Sequence, residues 1–186
     1  MELRQIAELK KYVQDMETNN DCGPSAVATI TRIPKRDVIA KWPGGFRGNQ
    51  SDSYIHHQGV LNRLGLRWET LSLEDILSRS DKLVPGNTAI MLNAKDDPET
   101  WIREDLIVLH WCVFGGYIKT HDGKDYGIVV FWLDGTTKSF SFDAIKTHFT
   151  NPFCVAYTVA NAGYVEDLPW YKRLYKRVIS WLPFRW

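Results

Sequence analysis

The stretch Asn20-Asp21-Cys22-Gly23-Pro24-Ser25-Ala26-Val27-Ala28-Thr29-Ile30 decides how this chain is read. A cysteine stands before Gly-Pro, and small apolar residues follow at helical pitch. Pro24 has no N–H to leave unpaired and its φ is pre-set for a first helical turn, so a helix is predicted from about Pro24 to Thr31. Its residues are apolar all round, which predicts burial. Cys22 then stands at the helix N-terminus, where unpaired N–H groups and the macrodipole favour an anion. A thiol held there ionises more readily, and the thiolate is the nucleophilic form. Gly23 leaves space for another backbone to approach. The bland alternative is a small buried hydrophobe. A metal ligand is less favoured, because no second Cys or His lies at a finger-like spacing.

Composition sets the frame around this stretch. A chain of 186 residues with 44% apolar content predicts one compact domain with an appendage. We divide it into a domain over 1–163 and a tail over 164–186. The net charge of +1 is unevenly spread. Residues 168–186 hold Lys172, Arg173, Lys176, Arg177 and Arg185 and no acid, which leaves a net −4 for the 167 residues before them. Three cysteines, Cys22, Cys112 and Cys154, are an odd number and suggest no disulfide framework, so a reducing compartment is expected. The first residues carry charges and no apolar run, which is not a signal peptide. No stretch approaches the ~18 apolar residues of a spanning helix. The expected location is cytoplasmic, or reached without a signal peptide, with peripheral membrane association left open.

Residues 2–12 have the spacing of a short surface helix, and Gln14 to Asn20 read as a loop. Asp37 to Lys41 reads as another short helix. The glycine-rich run Trp42 to Ser51 lacks a phosphate-loop lysine in register and is not read as a nucleotide cradle. A helix capped by Ser51 or Asp52 is expected to place Ile55, Val60, Leu61 and Leu64 on one face and to end at Gly65. His56 and His57 point about 100° apart on that helix and are read as surface residues. Strands are predicted at 66–71, 87–93, 106–118, 126–133, 138–140 and 154–159, with capped helices at 72–77 and 141–149. Helices come first and an antiparallel sheet follows, so the fold class is α+β.

A cysteine nucleophile needs a base, and the base needs an orienting acceptor. His110 is the histidine inside a predicted sheet strand. Asp134 ends the neighbouring strand, where a carboxylate can select one imidazole tautomer. His121 in a turn and His148 on an amphipathic helix are explained as solvent-facing.

Asp21-Cys22-Gly23-Pro24-Ser25-Ala26, then His110-Trp111-Cys112-Val113-Phe114-Gly115-Gly116-Tyr117, then a strand ending at Asp134-Gly135, resembles the papain-like cysteine peptidases. The likeness is nearest to the branch that removes bacteriocin leaders after a double glycine, and to its stand-alone relatives. It runs from about Gln14 to Val159. It implies a papain-like cysteine proteinase fold, with N-terminal helices on an antiparallel sheet. It implies Cys22 as nucleophile, His110 as general base and acid, and Asp134 as orienting residue, with no cofactor. Two features depart from the family pattern. The family's oxyanion glutamine is expected about six residues before the cysteine; position 16 is Met16, and Gln14 lies eight before. Gln14 takes the role if the loop is longer, with Asn19 and Asn20 as alternatives. The 24-residue interval from His110 to Asp134 is also long, with Asp125 as the fallback.

Residues 168–182 read as an amphipathic helix, with Leu174, Val178 and Trp181 on one face and cations on the rest. Trp170 to Trp186 therefore suits an anionic membrane surface or a protein partner, and the composition points away from nucleic acid. The leading expectation is a cysteine hydrolase acting on a peptide or isopeptide bond of a peptide or protein substrate. The same Cys-His-Asp site could serve deamidation, transglutamination or cell-wall amide cleavage. The third reading is a papain-like binding or structural component docked through its tail. A phage or bacterial source fits all three.

Overall fold

The computed structural model describes residues 3–18, 21–46, 54–93, 109–119, 126–148 and 155–160. The tail helix, the turn at Asp122-Gly123, Asn19, Asn20, Asp125, Cys154 and the polar stretch at 96–103 lie outside these residues. Helices α1 (Leu3–Lys10), α2 (Cys22–Thr31), α3 (Lys35–Ala40) and α4 (Tyr54–Arg63) precede β1 (Arg67–Leu71). Then come α5 (Leu73–Leu77), β2 (Thr88–Asn93), β3 (Leu109–Lys119), β4 (Tyr126–Phe131), β5 (Thr137–Ser141), α6 (Phe142–His148) and β6 (Ala156–Ala160). The class is α+β, as the order of patterns predicts. Among the described residues no helix is long and apolar enough to cross a membrane.

The six strands form one sheet in the order β1-β6-β2-β3-β4-β5, with every pairing antiparallel. Strand side chains alternate between faces, so the sheet feeds two apolar layers. The first holds Ala89 and Met91 of β2, Trp111 and Val113 of β3, Phe131 of β4 and Tyr157 of β6. Against them pack Ala26, Val27 and Ile30 of α2 and Val60 and Leu61 of α4, all fully buried. The second holds Ile90 and Leu92, Cys112 and Phe114, and Ile128 and Val130, covered by Ile76 of α5 and Ile145 of α6. The N-terminal helices therefore cover one face, and two shorter helices cover the other.

Helix α2 is the centre of the first layer. Its residues Gly23 to Thr31 are all buried. Burying a side chain such as Val27 or Ile30 is worth about 1.5–3 kcal/mol, which outweighs the modest helix propensity of β-branched residues. Its C-terminus closes on Arg32, a left-handed residue at φ 60°. The short α5 is fixed by a reciprocal cap: Asp75 N–H donates to Ser72 Oγ at 3.1 Å, and Ser72 N–H donates to Asp75 Oδ2 at 2.8 Å. In α4, Ile55 is 73% exposed. The expected apolar face is thus narrower than the sequence pattern suggests, and it is built on Val60 and Leu61.

Candidate functional site

Cys22 is the first residue of α2 and is half-buried against the first apolar layer. Asp21 precedes it at the cap position, but its carboxylate does not cap the helix. It accepts instead from the backbone N–H groups of Glu17 at 3.2 Å and Thr18 at 3.3 Å, closing a tight turn just before the thiol. Asp21 is only 4% exposed, and its counter-charge is Lys35 Nζ at 3.0 Å. Lys35, the first residue of α3, is 8% exposed. Its ammonium also donates to the Asp15 carbonyl at 2.9 Å and the Glu17 carboxylate at 3.0 Å.

His110 is the second residue of β3. Its ring stacks on the indole of Trp132 at 4.3 Å and 29°. Nε2 lies 2.7 Å from the Trp132 carbonyl oxygen. A carbonyl only accepts, so Nε2 carries the proton and Nδ1 is the basic nitrogen of the neutral ring. Leu92 lies directly across from His110 on β2 and belongs to the second layer. Leu109 and Trp111, on either side of His110, belong to the first. Alternation thus turns the imidazole to the face opposite α2. Thiol and imidazole can meet only around the end of β3, where His110 sits.

Both hydrogen bonds of the Asp134 carboxylate go to Thr136, one to its N–H at 2.8 Å and one to its hydroxyl. Asp134 is exposed and follows Leu133, whose φ of 68° turns the chain away from the sheet. The structure therefore places the Trp132 carbonyl, rather than Asp134, on the imidazole. Gln14 is placed away from the thiol. Its amide donates to the carbonyls of Ala28 at 3.1 Å and Ile33 at 2.9 Å, and accepts from Lys35 N–H at 2.8 Å. These partners surround the C-terminal end of α2, and Ala28 is six residues along from Cys22, about 9 Å of helix.

His57 corrects the sequence reading. Expected at the surface, it is fully buried, because it shares the helical spacing of Val60, Leu61 and Leu64 and follows them into the first layer. That i, i+3, i+4, i+7 spacing is the signal that finds it. The ring stacks on Trp111 at 4.0 Å and meets Trp42 and Tyr157 edge-on. Nδ1 lies 2.7 Å from the Tyr157 hydroxyl, and Nε2 has no hydrogen-bond partner among the described residues. Burial, with a smaller push from His56, pulls its pKa down to about 3, so the ring stays neutral. Lys35 and Trp132 are the other residues that sequence reasoning missed. No local pattern marks either, since each acts through partners distant in sequence.

Among the described residues no group of three or more His, Cys, Asp or Glu side chains is placed to hold a metal ion. Comparison with protein-family models and with curated proteins gives no match for this chain.

Proposed function

We propose that the chain is a cysteine hydrolase of papain-like design that cuts a peptide or isopeptide bond, with Cys22 as nucleophile and His110 as proton carrier. The observation that carries this reading is the position of Cys22 on the first residue of a buried helix, half-buried against the first apolar layer. The Trp132 carbonyl supports it further, because it selects the tautomer in which Nδ1 accepts a proton. In the proposed reaction Nδ1 takes the thiol proton and the sulfur attacks the amide carbonyl carbon. The Cys22 N–H donates to the oxyanion, and the imidazolium returns its proton to the departing amine. Water then attacks the thioester, its proton passes to the imidazole, and acid and thiol are released. With Gln14 engaged elsewhere, any second oxyanion donor comes from another group.

A second reading is favoured by a specific observation. His110 lies on the sheet face opposite α2, and Gln14 is spent at the far end of that helix. Both suit a papain-like scaffold that binds rather than cuts. Iodoacetamide labelling of the full chain at pH 7, with the modified cysteine located by peptide mass, separates the two. The hydrolase reading expects Cys22 to react faster than a free cysteine, and expects His110→Ala to slow it. Labelling of Cys22 no faster than Cys112 or Cys154 would leave only the scaffold. Fragments of an incubated peptide library would indicate cleavage, whereas a 1 Da gain on intact peptides would indicate deamidation.

A further inference from the structure

We infer that Lys35 is a positioning residue for the Cys22 thiol: its ammonium fixes the turn that presents the sulfur and cancels the negative charge of the residue next to it. This rests on the reading of Cys22 as the reactive thiol. An ammonium has three donors. Those of Lys35 are matched by three oxygens within 3.0 Å, on Asp15, Glu17 and Asp21. All three belong to the segment that leads into Cys22. The Lys35 backbone N–H is in turn held by Gln14 Oε1 at 2.8 Å. Gln14, Lys35 and Asp21 thus form one chain of contacts from the end of α2 back to its start.

The electrostatic half of the argument follows from burial. Asp21 immediately precedes Cys22 in the chain and is nearly inaccessible to water. A bare buried carboxylate there would oppose ionisation of the thiol, by like charge at close range. Lys35, equally buried, removes that opposition. Other ionisable side chains near α2 are Glu17 in the same turn, His57 of α4, and Arg32 at the far end of the helix, whose guanidinium donates to the Thr29 carbonyl; His110 is turned to the opposite face of the sheet. Glu17 is 80% exposed at its side chain, so water screens it. His57 is neutral at working pH.

The test is the pH dependence of Cys22 alkylation by iodoacetamide in the full chain, with folding checked by circular dichroism. Lys35→Met is expected to raise the midpoint by about one pH unit. Lys35→Arg should keep it near the wild-type value. Lys35→Met with Asp21→Asn should bring it back, a rescue that a merely structural role would not produce. An unchanged midpoint in folded Lys35→Met, or no rescue in the double variant, overturns the assignment. If Lys35→Met does not fold, Asp21→Asn decides, since in that variant the Lys35 ammonium keeps the Asp15 and Glu17 oxygens. Its midpoint should fall, and an unchanged or raised midpoint refutes the inference. Hydrolysis is read separately. A midpoint that follows Lys35 without any cleavage sinks the hydrolase and leaves the Lys35 role standing; cleavage with an immobile midpoint does the reverse.

Discussion

Acid should loosen this protein through His57. The ring is sealed under Trp42, Trp111 and Tyr157 with one nitrogen unpartnered among the described residues, and its folded pKa is held at about 3 against an ordinary 6.5. The folded pKa is the lower one, so the unfolded chain binds this proton first. Stability is therefore complete above pH 6.5, falls as pH drops below it, and levels off near pH 3. The slope in that window is about 1.4 kcal/mol per pH unit for one proton. Between pH 7 and pH 5 the loss from this one group is about 2 kcal/mol, a large share of the about 5–15 kcal/mol that holds a domain folded. Urea denaturation at both pH values, followed by tryptophan fluorescence, measures it. Other groups titrate too, so the comparison is with His57→Phe/Tyr157→Phe, which removes both ends of the hydrogen bond and strands neither. The wild type should lose about 2 kcal/mol more than the double variant over that interval. Parallel losses in the two proteins would refute the claim that a neutral, buried imidazole is enforced by the fold.

Gln14→Ala should cost about 3 kcal/mol, roughly one for each hydrogen bond its amide makes, visible as a lower urea midpoint. A loss below about 1 kcal/mol would mean the amide is not tied to α2 and α3. Asp134→Ala should leave the pH profile of Cys22 alkylation unchanged, because the imidazole is held by the Trp132 carbonyl; a shifted profile would show that the carboxylate acts on His110 after all. Gly127→Ala should destabilise by about 1–3 kcal/mol in thermal melts, because a β-carbon there runs into the Phe140 carbonyl of β5. An unchanged melting temperature would show that β5 yields at no cost.

Much of the framework was readable because local chemistry enforces it. Pro24 and the small apolar run after it can only start a buried helix, and the Ser72 and Asp75 cap marks α5 without reference to anything else. The faces of the sheet were not readable. Leu109 to Phe114 is apolar at almost every position, so the period of two that would assign His110 to one side is absent. His57 was hidden by its neighbour. Two adjacent histidines look like solvent residues, yet one of them falls in step with Val60 and Leu61. Strand order alone points to Asp134, whereas the residue stands exposed after a left-handed Leu133 that no sequence rule expects. Distance along the chain from Cys22 does not reveal the place of Gln14, whose partners lie on Ala28, Ile33 and Lys35.

Strand β3 changes phase part-way along. Phe114 pairs with Val130 and Gly116 with Val129, so Gly115 is an extra residue on one side of the ladder. Before it, even-numbered side chains enter the second layer; beyond it, Tyr117 does, meeting Phe114 at 4.9 Å and donating its hydroxyl to the Ile76 carbonyl at 3.1 Å. A chain that kept every residue but ran β3 in unbroken alternation would keep its composition and hydropathy intact, yet Tyr117 would be flipped toward α2 and Ile118 toward α5. Homologues that lack the extra glycine would need no bulge, because with one residue fewer the tyrosine meets the second layer by plain alternation.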